Sequence, residues 1–282
     1  MKPAILAQRL RPVLPHLICP QCGAAFALTD QSLICQNGHC FDLSRRGYVN
    51  LAPSHRQSAE KYDAALFESR GRILTDGFYA PVLEAVCGLL EKRFGEAPFL
   101  LVDAGCGEGY YARAAARRFP AAGVIGLDLS RDAVALAARG PEPVRWFVAD
   151  LKRLPVRDGA AGAVLDILSP ADYGEFRRIL APDGVLMKAV PGPDYLREIR
   201  AAVHPYLRSA AYDNAAVLSH LRQHAQILSE TPVHAVLPLT AAQSRDFLRM
   251  TPMTFSVPPE ALEAVHLDHI TIDMRVLCCR MA

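Results

Sequence analysis

The chain has 282 residues, 51% of them hydrophobic, with 31 Lys and Arg against 29 Asp and Glu. That is apolar material for one large core or two smaller ones. A net charge of +2 neither demands nor excludes a nucleic-acid partner, because binding depends on a local patch. No apolar run approaches the length that spans a bilayer, no signal peptide is legible at the N-terminus, and no short repeat recurs. The expectation is a cytoplasmic protein with no membrane partner.

Four of the eight cysteines fall close together near the N-terminus. Cys19 and Cys22 are spaced C-x2-C; Cys35 follows after twelve residues and His39 after three more. Two ligands on one tight turn and two on a second can close a tetrahedron around Zn²⁺. Cys40 is an alternative fourth ligand, although the Asn37-Gly38 turn aims His39 back at the first knuckle. Between the knuckles, AAFALTDQSLI reads as two short strands around a Thr-Asp turn. This is the layout of a zinc ribbon. A segment of about 50 residues cannot stabilise itself by burial alone, so a structural metal supplies folding energy. The other cysteines, Cys87, Cys106, Cys278 and Cys279, read as small buried hydrophobes.

The polar stretch Leu51 to Ser58, with Pro53, reads as a linker. A helix is expected from about Tyr62 to Thr75. A second follows, with Pro81 in its first turn and Val82, Leu83, Val86, Leu89 and Leu90 as its apolar face. Phe99 to Val102 suits a strand buried on both faces. Asp103 ends it, and Gly105, Gly107 and Gly109 make a turn whose backbone can approach a ligand closely. A second strand ends at Asp128, where a carboxylate can accept both ribose hydroxyls of an adenosine; Ser130 then caps a helix. A third strand ends at Asp150, an acid placed to lie near an adenine amino group. AGAVLDILSP is a fourth strand, and a helix, a Pro-Asp-Gly turn and a fifth strand follow. Alternating strands and helices predict an α/β fold with an open, mostly parallel, doubly wound sheet. Further on, a helical stretch is read from Arg197 to Leu228. VHAVLPLT and HITIDMRVLCC read as a closing antiparallel pair, with helical AAQSRDFLRM between them.

The run DAGCGEGYY, GLDLS, AD, LSP and APDG resembles a class I S-adenosylmethionine-dependent methyltransferase over roughly residues 79 to 200. Together with the ribbon and the segments FDLSRRGYVNL, LFESRGRILTDGFYAPV and PGPDYL, nearly the whole chain resembles the bacterial 23S rRNA guanine-N1 methyltransferases. Some of these confer resistance to macrolides such as tylosin. The resemblance implies S-adenosylmethionine and structural Zn²⁺ as cofactors, and a 23S rRNA hairpin as partner. It implies Cys19, Cys22, Cys35 and His39 as zinc ligands, with Cys40 a bystander. Tyr79, Gly107 and Glu108 match donor contacts. Tyr195 stands where the family often has histidine, and Phe255, in MTPMTF, where it usually has tryptophan. Some members pair as homodimers.

The expected division is a zinc-ribbon RNA-recognition module over 1–50, a linker and helix over 51–78, and the methyltransferase domain over 79–282. Donor-site candidates are Tyr79, Asp103, Gly105, Gly107, Glu108, Asp128, Asp150 and Tyr195. Arg45, Arg46, Tyr48 and Arg56 offer charge and an aromatic ring to RNA beside the ribbon. No residue is marked as the base that takes the guanine N1 proton; Asp166, Asp172 and Glu175 are candidates by position, and Leu168 to Pro170 is placed to line the target-base pocket. The competing readings are a small-molecule methyltransferase with an accessory zinc module, and an RNA-binding scaffold without turnover.

Overall fold

Leu100–Ala104 is buried at every position, as its unbroken apolar run requires of a central strand. In the computed structural model, which describes residues 1–53, 63–207 and 213–282, it lies inside an eight-stranded sheet. The strands in chain order are β1 (Phe26–Leu28), β2 (Ser32–Cys35), β3 (Cys40–Asp42), β4 (Tyr48–Asn50), β5 (Leu100–Ala104), β6 (Gly123–Asp128), β7 (Arg145–Val148), β8 (Ala161–Ile167), β9 (Leu180–Pro191), β10 (Ala225–Pro238) and β11 (His269–Met281). The large sheet has the order β10-β11-β9-β8-β5-β6-β7-β4, and β1-β2-β3 form a separate small sheet. Strands β4 to β9 pair in parallel, while β11 lies antiparallel between β9 and β10. The sequence thus gives the doubly wound sheet and its closing antiparallel pair. The Pro182-Asp183-Gly184 turn is an excursion within β9, where the register jumps from Ala161–Leu180 to Ala163–Val185.

The helices are α1 (Pro3–Leu10), α2 (Ala64–Thr75), α3 (Ala80–Phe94), α4 (Tyr110–Arg118), α5 (Arg131–Ala137), α6 (Tyr173–Ile179), α7 (Arg197–Ala202), α8 (Ala215–His224), α9 (Ala241–Met250) and α10 (Pro259–Glu263). Asp63 starts α2 by accepting from the Leu66 amide at 2.8 Å, and Ser130 starts α5 by accepting from Ala133 at 3.2 Å, both as N-caps. No single described helix is long and apolar enough to cross a membrane. The helical stretch expected from Arg197 to Leu228 takes the form of α7, a short 3-10 turn at His204–Tyr206 and α8, with β10 beginning at Ala225; its positions 208–212 lie outside the described residues. Pro205, which lacks an amide hydrogen, cannot continue α7.

Alternate side chains along the strands divide the interior into two layers. Leu101, Val124, Leu165, Met187 and Val276 face α3, α4 and α9. On the other face, Leu100, Val102, Ile125, Leu127 and Phe147 share one core with Leu6 and Leu10 of α1 and with Phe26, Leu33 and Phe41 of the ribbon. The N-terminal 50 residues are therefore not a detached module. Their own sheet ends at Asp42, whereas Tyr48–Asn50 joins the large sheet in parallel with Trp146–Val148. Leu51, expected in a linker, is buried and donates to the Val148 carbonyl at 2.9 Å.

Candidate active site and metal centre

The two knuckles bring Cys19, Cys22, Cys35 and His39 together, with all four ligand atoms within 4.8 Å of one another. Cys22 Sγ lies 3.7 Å from Cys35 Sγ, and His39 Nδ1 lies 3.3 Å from Cys35 Sγ and 3.6 Å from Cys19 Sγ. A tetrahedron with Zn–S bonds of about 2.3 Å has edges of about 3.8 Å, slightly less where a nitrogen replaces sulfur. The donor set and its spacing fit a closed structural zinc. Cys40 begins β3, exposed and outside this cluster, while its neighbour Phe41 points into the core.

At the other end of the chemistry, the carboxyl ends of β5, β6, β8 and β9 open into a cavity of about 620 Å³, the usual ligand position in an open α/β sheet. The turn after β5 forms one wall. Gly105 has φ +84°, and a Cβ there would lie 2.0 Å from Ser169 Oγ and 2.7 Å from Ser169 Cβ. Only glycine lets the two walls meet in this way. Gly109 is similarly pressed by Trp146, whose ring would lie 2.5 Å from an added Cβ. Asp128 holds the turn closed, accepting from the Gly107 amide at 2.9 Å and from Ser130 at 2.8 Å.

Three carboxyls among the described residues line this cavity: Asp103, Glu108 and Asp128. Burial, reinforced by Glu108, pushes Asp103 up to about 8, although its Oδ2 accepts from the Ala112 amide at 3.1 Å. Burial likewise raises Glu108, against the pull of Arg70, and raises Asp128 against its backbone donors. Tyr79 and Tyr195 meet hydroxyl to hydroxyl at 2.7 Å. The Tyr111 hydroxyl, on the same cavity, is buried without a hydrogen-bond partner among the described residues. Acceptors for a cationic, diol-bearing molecule and an unsatisfied polar atom thus share one pocket. These residues fit an adenosyl sulfonium amino acid.

Seven of the eight expected donor-site residues line the cavity: Tyr79, Asp103, Gly105, Gly107, Glu108, Asp128 and Tyr195. Asp150 does not. It is exposed, and its carboxylate accepts from the Lys152 amide at 3.0 Å, capping a 3-10 turn. The stretch Leu168 to Pro170 does line the cavity, with Leu168 exposed and held at φ +56°. None of the carboxylates proposed as a base by position reaches it. Asp166 is buried in an ion pair with Lys188 at 2.5 Å, Asp172 caps α6 by accepting from Glu175 at 3.0 Å, and Glu175 pairs with Arg178 at 2.7 Å. Arg45 and Arg46 are exposed beside the ribbon. Tyr48 is a correction: it is buried against the main sheet, because a strand there completes the edge beside β7. Arg56 lies outside the described residues. Sequence reasoning missed Phe67 and Arg70 on α2 and Tyr111 on α4, which also line the site. The MTP segment, Thr251 to Met253 among it, closes the same cavity.

The sheet order, the glycine turn after its central strand and the carboxylates at adjacent strand ends define a class I S-adenosylmethionine-dependent methyltransferase carrying a zinc ribbon. A zinc-ribbon family described as "RlmA, N-terminal" matches residues 17–59, and one described as "Methyltransferase domain" matches 101–184. The "23S rRNA (guanine(748)-N(1))-methyltransferase" of Streptomyces fradiae is 32% identical, over 95% of this chain and 98% of its own. The Bacillus subtilis (strain 168) protein named "Putative 23S rRNA (guanine-N(1)-)-methyltransferase YxjB" is 35% identical, over 92% and 95%. By contrast, a malonyl-[acyl-carrier protein] O-methyltransferase of Laribacter hongkongensis (strain HLHK9) is 39% identical over only 42% of this chain and 46% of its own. The chain belongs to the 23S rRNA (guanine-N1)-methyltransferase family.

Proposed function

We propose that the protein transfers a methyl group from S-adenosylmethionine to N1 of one guanine in a hairpin of 23S rRNA. The observation that carries this reading is the near full-length match to rRNA enzymes, which spans the ribbon as well as the donor site. The donor supplies a methyl carbon activated by a sulfonium, whose thioether is the leaving group. In the transfer, N1 would form a bond to that carbon as the C–S bond breaks, the C–S electron pair staying on the thioether sulfur and the N1 proton passing to solvent water. Asp128 would hold the ribose diol and Asp103 the cationic amino-acid end, while Tyr79, Glu108 and Tyr195 fix the donor's remaining contacts. Leu168 to Pro170 faces them and would bear on the incoming base, which must leave its stack to reach this depth.

The ribbon's part is to present Arg45 and Arg46 to phosphates while zinc keeps the small sheet rigid. The reading extends to a pair of copies sharing one hairpin, which light scattering checks, and to reduced sensitivity to macrolides such as tylosin, which growth inhibition of an expressing host checks. The enzyme would work in the cytoplasm, on RNA or ribosomal precursors. The test is transfer of labelled methyl to protein-free 23S rRNA, with the site mapped by primer extension. A methyl on N1 blocks Watson–Crick pairing, so a single strong stop at a hairpin guanine is expected. Donor binding without incorporation into this RNA would overturn the assignment.

A further inference from the structure

Arg70 is a cation on the wall of a cavity otherwise rich in carboxyls. Its guanidinium is on the site, 4.0 Å from where a Cβ on Gly107 would lie. It opposes the rise that burial causes in the pKa of both Glu108 and Asp128. One donor, Nη2, reaches the Met250 carbonyl at 3.2 Å, and the group lies 5.5 Å over the Phe67 ring. Of five N–H donors on a planar fork, this tether occupies one and fixes the plane.

The helix that carries Arg70 is itself clamped. Arg72, two residues on, grips Asp246 of α9 through two hydrogen bonds of 2.8 and 2.6 Å, and Asp76 accepts from Gln243 at 2.8 Å. The other cation lining the cavity among the described residues, Arg200, is turned to the backbone, donating to the Tyr195 carbonyl at 2.8 Å and to Pro193 at 3.4 Å.

A methyl donor of this class carries a sulfonium, an ammonium and a carboxylate. Asp103, Glu108 and Asp128 suit the first two and the ribose, and none of the three offers the third a counter-charge. We propose that Arg70 is the anchor for the donor's α-carboxylate, engaging it through the fork that planar guanidinium and carboxylate groups share. The inference rests on the methyl-transfer reading and adds a residue to it.

The test compares S-adenosylmethionine with decarboxylated S-adenosylmethionine, which keeps the sulfonium and ammonium and lacks only the carboxylate. Binding is measured by calorimetry on the full-length, zinc-loaded protein. The wild type is expected to prefer the complete donor by about 10- to 100-fold, the range for a charge-assisted contact. Arg70→Gln, which can still donate to Met250, should reduce that preference to within about threefold, chiefly by weakening the complete donor. Arg70→Lys, which keeps the charge and loses the fork, should fall between. Equal weakening of both ligands by Arg70→Gln would assign a merely structural role and overturn the proposal. Unchanged donor binding with weakened RNA binding would also overturn it, moving Arg70 to a phosphate contact. A wild type that binds neither ligand would sink the methyl-transfer reading, and this inference with it.

Discussion

Replacing Gly105 by alanine tests how tightly the two walls of the donor cavity are matched. The residue sits at φ +84°, where an L side chain costs roughly 1–2 kcal/mol. The added carbon would meet Ser169 Oγ at 2.0 Å and Ser169 Cβ at 2.7 Å. The oxygen can rotate away, but the Cβ moves only if the Leu168–Pro170 backbone moves. Overpacking of that kind adds about 1–3 kcal/mol, so the variant should lose roughly 2–5 kcal/mol in all. Because the displaced segment is the opposite wall of the cavity, donor affinity should fall as well. Adding Ser169→Gly removes the contact and leaves the backbone strain, so the double variant should recover to within about 1–2 kcal/mol of Ser169→Gly alone. Chemical denaturation gives the stabilities, and calorimetry with S-adenosylhomocysteine gives the affinities. If Ser169→Gly brings no recovery in the Gly105→Ala background, the contact is not the source of the loss and the facing-wall account fails.

Lys188→Met strands the buried Asp166 carboxylate and should destabilise by about 3–5 kcal/mol, whereas Lys188→Met with Asp166→Leu should recover most of it; denaturant midpoints of the two decide. Removing zinc with a chelator should shift the melting of the whole protein downward in a single transition, because Phe26, Leu33 and Phe41 share a core with Leu100 and Phe147. Two separate transitions by circular dichroism would contradict that. Asp103, raised to about 8 from 3.8, is protonated near neutrality. Its contribution to stability is complete below the unfolded value and is lost as pH rises through about 8. Capturing the cationic end of the donor should therefore release a proton at pH 7, seen as a binding heat that varies with buffer ionisation, and Asp103→Asn should reduce that variation.

The sequence was most legible where chemistry is local. A C-x2-C knuckle and a G-x-G-x-G turn each declare themselves within a few residues, and the acids at Asp103 and Asp128, which line the cavity, follow from strand ends. Asp150 shows the limit of that rule, since a strand-end carboxylate can equally turn back to cap its own 3-10 turn. Tyr48 looked like a surface aromatic among arginines because its partner, Trp146, is remote in the chain. Arg70 escaped for the same reason, and the MTPMTF segment, noted for its resemblance, gave no sign that it would share a cavity with Arg70. They come from opposite ends of the sequence and meet only through the α2–α9 contact. The three-residue strand β3 was too short to carry any periodicity.

The parallel pairing of Tyr48 with Trp146 imposes an order of assembly. A nascent chain leaves the ribosome N-terminus first, and the knuckles can take up zinc as soon as His39 emerges. The edge strand beside them then has nothing to pair with until β7 has been made, and α1 must wait for the same sheet to cover its apolar side. The earliest-born part of the protein thus reaches its final place only after β7 has been made, and a fragment that begins after residue 50 would leave a broad apolar face of the sheet open to water.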